Sequence, residues 1–264
     1  MKKVLLFCVI VFAFSSNLLA QRGYNPNSVY PILEDDIMYR KTIWRLINLN
    51  EPQNKPFKAR SDEENVLSNI LLDGLKSQKL TPYQTNFLTE DQAFVRDLKM
   101  TYEDFAIAAN ATPDALDPDT ANMFFGSDIE LIEMREDVIF DKKRSRMYFD
   151  IQSLTLIVPN IDAGGIQDRR IAQMKFKEVH EYLSEVYDSS NENRAYWYNK
   201  NNNRRKMSYA DAFDLRLFSS RIIKVSNPDG DYLNVQYPNI TEELAKSQEI
   251  EYELMEFEHN LWEF

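Results

Sequence analysis

Apolar residues in the first half of the chain recur mainly at helical spacing. One stripe consists of Leu33, Ile37, Trp44 and Ile47. A second stripe consists of Val66, Leu67, Ile70, Leu71 and Leu75. Because residues three and four apart share one face of a helix, both stripes predict amphipathic helices. We therefore predict a mainly helical part over residues 34–110, preceded by an extended arm over residues 21–33 that contains two prolines.

A change of period separates the second half of the chain from the first. Residues 111–128 contain Pro113, Pro118 and four aspartates, a composition typical of a linker. Apolar and charged residues then alternate on both sides of a polar turn at residues 141–145, which predicts a β-hairpin. The alternating apolar residues are Ile132, Met134, Val138, Phe140, Met147, Phe149 and Ile151. The alternation shifts by one residue near Gln152, which predicts either a β-bulge or a strand buried on both faces.

Further predicted elements complete an α+β part over residues 129–240. Apolar residues at helical spacing predict a helix over residues 170–187. Ser208 is placed to cap another helix. Strands are predicted over residues 221–226 and 232–237, joined by a turn rich in Asn, Asp, Pro and Gly.

A long acidic helix is predicted for residues 241–264. One of its faces carries Ile250, Leu254, Phe257 and Leu261. The opposite face carries Tyr252, Met255, His259 and Trp262. Two apolar faces leave two alternatives: the helix is sandwiched within its own fold, or one face docks on another chain. The overall prediction is an α+β fold with a helical N-terminal part, antiparallel hairpins with packed helices, and this terminal helix.

Residues 1–20 have the pattern of a secretory signal peptide. Two lysines precede the apolar run Val4 to Phe14, and the segment ends at Ala20, after which we expect cleavage. Removal of this segment takes away the single cysteine and both lysines, so that 29 cationic residues face 42 carboxylates, a net charge of −13. An acidic chain of this kind does not suit nucleic-acid binding. We expect an exported protein.

The residues offer little support for catalysis or for a cofactor. The chain has no Gly-rich nucleotide loop and no nucleophile elbow, and it has only two histidines, so we predict neither a cofactor nor a metal site. Carboxylate pairs such as Glu136 and Asp137 are abundant, and a glycosidase needs two such groups facing one cleft. A periplasmic carboxylate-dependent hydrolase acting on glycan or envelope polymer is therefore kept as the alternative function.

A basic and aromatic segment is the second candidate for binding, after the terminal helix. Within residues 194–206 the candidate contact residues are Tyr196, Trp197, Tyr198, Arg204, Arg205 and Lys206. On an acidic exported chain such a segment is better suited to an acidic protein surface than to nucleobases. From the terminal helix we add Tyr252, Met255, His259 and Trp262 as candidate partner-binding residues.

Three stretches resemble a known family. They are residues 44–49 (WRLINL), 135–147 (REDVIFDKKRSRM) and 209–227 (YADAFDLRLFSSRIIKVSN). They look like the GldN/PorN family of gliding-motility and type IX secretion proteins, and the resemblance spans about residues 34–240. The sequence departs from the family pattern at Asn48, where an acidic residue is usual, and at Val138, where an aromatic residue is common.

The resemblance implies a non-enzymatic scaffold subunit. It implies a periplasmic protein at the inner face of the outer membrane, which assembles with the GldK/PorK lipoprotein into large rings. It also implies a contact with the periplasmic part of GldM/PorM. Self-association within the ring and the absence of any direct membrane or nucleic-acid contact complete these expectations.

Overall fold

The computed structural model describes residues 25, 27–58, 65–85, 98–105, 129–158, 169–199 and 206–261. The strands are β1 (Ile37–Asn48), β2 (Leu131–Asp141), β3 (Arg146–Val158), β4 (Arg169–Lys175), β5 (Tyr196–Trp197), β6 (Met207–Ser208) and β7 (Arg221–Val225). The helices are α1 (Leu67–Lys76), α2 (Phe176–Ser189), α3 (Tyr209–Asp214), α4 (Leu233–Gln236) and α5 (Ile240–Leu261). The fold is mixed α+β, as predicted. No described helix has the length and apolar content needed to cross a bilayer.

A five-stranded antiparallel sheet organises the fold, with strand order β4-β3-β2-β1-β7. Strand β1 pairs with β2 along its whole length, from Ile37 opposite Asp141 to Asn48 opposite Leu131. Residues on the two sides of the predicted linker therefore belong to one sheet. The linker itself and the predicted signal peptide lie outside the described residues, so these boundaries stay predictions.

The predicted helix over residues 33–47 is wrong, because this segment forms β1. Its apolar stripe fits the helical period, and Trp44 is out of step with Ile37 and Ile47 in a period of two. Thr42, Ile43 and Trp44 are nevertheless β-branched or aromatic and suit a pleated strand. The backbone hydrogen bonds of β1 go to β2 and β7, which are far away in sequence. Tertiary pairing therefore overrides the local periodicity, and the described N-terminal part is not mainly helical.

The predicted hairpin is confirmed as β2 and β3. The register of the two strands shifts between Arg135 and Glu136, opposite Ser153 and Ile151, so Gln152 is the extra residue of a bulge. From the bulge onward, residues 151–157 are all buried. Both alternatives given for the parity change therefore hold at once.

Two other predicted elements need correction. The segment 170–187 begins as strand β4, which pairs with β3, and becomes helical only at Phe176. The predicted strand over residues 232–237 is instead the single turn α4, where Leu233 is buried and Val235 is exposed. A short alternating run cannot distinguish one helical turn from a strand, since only one of its side chains reaches the core.

The predicted extended arm contacts the sheet and α3 where it is described. Ser28 Oγ donates to Asp150 Oδ1 at 2.9 Å, and Tyr30 Oη donates to Asp214 Oδ2 at 2.9 Å. The side chain of Ile32 is buried. The arm is therefore anchored at several points along residues 28–32.

One face of the sheet carries two apolar clusters. In the larger cluster, residues of strands β1, β2, β3 and β4 near Ile47 and Met134 pack against helices α1, α2 and α3. The smaller consists of Ile43, Val138, Ile222, Leu233, Ile250 and Leu254, and it joins the sheet to α4 and α5. The terminal helix thus covers its own part of the core.

Close packing at Gly74 of α1 gives a first prediction. A Cβ atom built there would lie 2.6 Å from Leu80 Cδ1 and 2.7 Å from Tyr182 Cε1. Alanine normally stabilises a helix relative to glycine by about 1 kcal/mol. We expect Gly74→Ala instead to lower the free energy of unfolding by about 1–2 kcal/mol, because overpacking outweighs propensity. Urea unfolding of both proteins measures this, and a stabilised variant would contradict the packing.

Candidate partner-binding site

Helix α5 is attached to the sheet by one apolar face. Ile250 and Leu254 are buried in the smaller cluster against Ile43 and Val138. The ring of Phe257 packs against that of Tyr39, tilted by 42° with the ring centroids 4.5 Å apart. Ile250, Leu254 and Phe257 belong to one of the two apolar faces predicted from the sequence, and this is the face that packs on the sheet.

Ion pairs add to the attachment of α5. Arg45 Nη1 donates to Glu251 Oε1 at 2.6 Å, and Arg221 Nη1 donates to Glu243 Oε1 at 3.2 Å. The side chain of Glu251 is 43% exposed, whereas that of Glu243 is 8% exposed. Their cations show the reverse, with Arg45 10% and Arg221 37% exposed, so each pair has one buried and one solvent-exposed member.

A buried ionic cluster lies between the two apolar clusters. Glu136 is fully buried and accepts from Arg45 Nε at 2.7 Å and from Arg216 Nη1 at 2.5 Å. Along β1 and β2, Arg45 and Glu136 stand on the same face as the apolar residues around them. Removing two guanidinium groups and a carboxylate from water is costly unless the charges pair this closely.

Arg216 reaches Glu136 from an unusual backbone position. Its φ is +53°, and it follows the last turn of α3, where its N–H donates to Phe213 O and the N–H of Leu217 donates to Ala212 O. This pair of hydrogen bonds ends many helices, and the residue with the left-handed backbone is normally glycine. Here an arginine occupies it, and its guanidinium also lies 4.5 Å from the ring centroid of Phe149.

The left-handed backbone of Arg216 predicts that glycine at this position gives a more stable protein than alanine. Both Arg216→Ala and Arg216→Gly lose the ion pair with Glu136. Only the glycine variant also relieves the positive-φ strain, so we expect it to be more stable than the alanine variant by about 1 kcal/mol. Chemical denaturation of the two variants measures the difference, and equal stabilities or a more stable alanine variant would contradict the geometry.

A groove of about 620 Å³ runs beside α5 above the ionic cluster. Its charged lining comprises Arg45, Arg216, Glu251 and Glu258. Its apolar lining comprises Val138, Met147, Phe149, Phe218, Tyr252, Leu254 and Met255. Ser219, Ser220 and Gln248 also line it, so the groove is a mixed surface on which polar and apolar side chains are equally represented.

The other side of α5 is exposed. Leu244, Tyr252 and Met255 are 42%, 66% and 59% exposed, and His259 is exposed too. On a helical wheel these four residues form one strip, which we call the outer stripe. Tyr252 and Met255 belong both to the outer stripe and to the groove lining.

The predicted contact residues fall into two groups. Tyr252, Met255 and His259 lie on the outer stripe, and the first two line the groove. Tyr196 and Trp197 form β5, which pairs with β6, and Tyr198 is 46% exposed. Lys206 Nζ stands 4.7 Å from the ring centroid of Tyr196 and 2.9 Å from Asn193 Oδ1, so the basic and aromatic residues do meet. The predicted contacts Arg204, Arg205 and Trp262 lie outside the described residues.

Candidate metal ligands and the two histidines are natural places to look for chemistry. No group of three or more His, Cys, Asp or Glu side chains that could hold a metal occurs among them. His180 Nε2 lies 3.2 Å from Asp214 Oδ2, and the same oxygen accepts from Tyr30, so this histidine helps to hold the arm. Asp214 raises the pKa of Tyr30 mainly by accepting its hydrogen bond.

Sequence analysis missed Arg45 and Arg216 as site residues and treated Glu136 only as one of a carboxylate pair. A signal was present at Glu136, because it interrupts the alternating apolar positions between Met134 and Val138. The signal at Arg45 depends on reading Ile43 to Ile47 as a strand, which the helical interpretation hid. Arg216 carries no local sign of its role.

Comparison with known proteins identifies the family. No curated protein matches the chain in sequence. The model of the family described as gliding motility associated protein GldN matches residues 32–263, which include every strand and helix named above. The match extends over most of the chain and confirms the resemblance seen in residues 44–49, 135–147 and 209–227. The chain therefore belongs to the GldN family, whose members are components of gliding motility and type IX secretion.

Proposed function

We propose that this protein is a non-enzymatic scaffold subunit of the type IX secretion and gliding machinery. In this proposal it is exported to the periplasm by its signal peptide and lies at the inner face of the outer membrane. It forms a ring with a GldK/PorK-like lipoprotein, associates there with copies of itself, and contacts a GldM/PorM-like periplasmic domain. Its work is to bind these neighbours.

The observation that carries this proposal is that α5 has one face packed on its own fold and another face exposed to solvent. One face is buried on the sheet, whereas Leu244, Tyr252 and Met255 remain exposed on the outer stripe. Large apolar side chains grouped on one strip are typical of a surface that binds another protein. Family membership supports assembly into a secretion machine as the purpose of such a surface.

The alternative of a carboxylate-dependent hydrolase receives little support from the groove. A glycosidase needs one carboxyl group to give a proton and a second that is free to act on sugar or water. Of the groove's acids, Glu251 already accepts from Arg45, and Glu136 beneath it accepts from two guanidinium groups. Glu258 is the one lining acid without an ion pair among the described residues, so the groove offers one free carboxyl group where this chemistry needs two.

Purification from native envelopes tests the proposed function. The tagged chain is extracted in mild detergent from motile, secreting cells, and co-purifying proteins are identified by mass spectrometry. We expect a GldK/PorK-like lipoprotein and a GldM/PorM-like protein in constant ratio to the chain, in particles far larger than the monomer. Recovery of the chain alone, as a monomer, would contradict the proposal.

A further inference from the structure

We propose that the outer stripe and the adjoining groove bind one amphipathic helix of a partner protein, whose apolar residues are flanked by lysine or arginine. The inference rests on the proposed function and deepens it by naming the chemistry of the partner. It follows from the shape and the charge of the surface around α5.

The apolar part of this surface suits a helix. Leu244 and Met255 are separated by about 16 Å along α5, which corresponds to about three turns of a partner helix. Beside them the groove offers Met147, Phe149 and Phe218 as further apolar contacts. Methionine side chains adapt to the shape of the residues they meet, so this strip can receive branched or aromatic side chains. A helix laid in such a groove contributes residues at spacings of three, four and seven.

Acidic residues border the outer stripe on both sides. Glu249, Glu253 and Glu256 follow one side on the helical wheel, and Glu251 and Glu258 follow the other. Lys246 bonds to Glu249 and lies near Glu253, and Arg45 bonds to Glu251. Glu256 and Glu258 have no ion pair within the part of the chain that the structure describes. A partner with cations on both sides of its apolar strip would match this pattern.

Two other occupants fit the charges less well. The outer stripe of a second copy would bring glutamates against glutamates, which costs free energy at close range. A lipid surface attracts amphipathic helices that carry lysine and arginine beside their apolar face, whereas α5 carries glutamate there. The charge pattern therefore favours a cationic protein helix over both.

Peptide binding to the full mature chain tests the inference. The probe is a fluorescent synthetic helix of leucine and lysine, about 18 residues long, with leucine at spacings of three and four. One control peptide has the same composition in scrambled order, and another has glutamate in place of lysine. Fluorescence anisotropy at several salt concentrations gives the Kd. We expect the probe to bind, with affinity falling as salt rises, and both controls to bind at least about tenfold more weakly.

A matched pair of variants locates the binding. In Tyr252→Ala/Met255→Ala we expect the Kd of the probe to rise about tenfold or more. The control is Met38→Ala/Val235→Ala, whose residues are 62% and 61% exposed but lie on β1 and α4. We expect this control to change the Kd less than about twofold. All four residues are exposed, so both variants should fold, and thermal unfolding verifies it.

Several outcomes would overturn the inference. Equal binding of the scrambled peptide would mean attraction by net charge alone, and an unchanged Kd in Tyr252→Ala/Met255→Ala would place the binding elsewhere. If the wild-type chain self-associates and this variant does not, the occupant is a second copy. If the wild-type chain binds vesicles and this variant does not, the occupant is a lipid surface. If native envelopes yield the partners while the probe fails to bind, the inference falls and the proposed function stands. If the probe binds but no partner is recovered, the proposed function falls.

Discussion

Replacing Glu136 with alanine is expected to lower the free energy of unfolding by about 3–5 kcal/mol. The variant leaves Arg45, whose side chain is 10% exposed, and Arg216, whose side chain is 28% exposed, without their shared carboxylate. Uncompensated buried charge is costly because protein cannot replace the water that the guanidinium groups have lost. Urea unfolding followed by circular dichroism measures the change.

A matched control separates burial from charge. Glu251→Ala removes the other carboxylate bound to Arg45, but its side chain is 43% exposed. We expect that variant to lose no more than about 1 kcal/mol. Replacing the whole cluster, as Arg45→Met/Glu136→Leu/Arg216→Met, should cost less than Glu136→Ala alone, since the only charge then left without its partner is that of Glu251, which is 43% exposed. A Glu136→Ala protein as stable as the wild type would contradict the account of the cluster.

The second large effect is expected at Leu254. Its side chain is buried between α5 and the sheet, next to Ile43 and Val138. Leu254→Ala should lower the free energy of unfolding by about 2–4 kcal/mol, because it removes buried methyl groups and leaves a cavity. Leu244→Ala, on the same helix but 42% exposed, should change it by less than about 0.5 kcal/mol. Similar losses in both variants would mean that α5 does not dock by the face described.

The docking of α5 also decides how its outer stripe should be tested. Truncation after Asn239 would uncover apolar residues of the smaller cluster and would remove Glu251 and Glu243, the ion-pair partners of Arg45 and Arg221. Such a protein would lose stability and binding at once. Substitutions confined to exposed side chains, such as Tyr252 and Met255, change the surface without opening the core.

Local patterns predicted the elements whose stability depends on neighbours in sequence. The hairpin of β2 and β3 and the two faces of α5 follow from the spacing of apolar residues within each element. Ser208 caps α3 as expected, with its hydroxyl accepting from Asp211 N. In each case the sequence signal and the structural cause lie within about 20 residues of each other, which is the range over which periodicity is informative.

Contacts between distant residues were beyond such patterns. Arg45 and Glu136 are 91 positions apart, and Glu136 and Arg216 are 80 apart. No property of any one segment requires that these three side chains meet. The same reason explains the missed strand β1, whose hydrogen bonds depend on β2 and β7. The candidate groove follows from these long-range contacts, so only its α5 wall was predictable.

The most direct test of partner binding through α5 is co-purification from envelopes with the stripe variant. Cells express tagged wild type, Tyr252→Ala/Met255→Ala or the control Met38→Ala/Val235→Ala at equal levels, and partner proteins are quantified per copy of the tagged chain. We expect the stripe variant to lose at least about nine tenths of one partner, as a tenfold weaker contact would produce, while the control keeps it. Equal recovery of every partner by all three proteins would contradict the account.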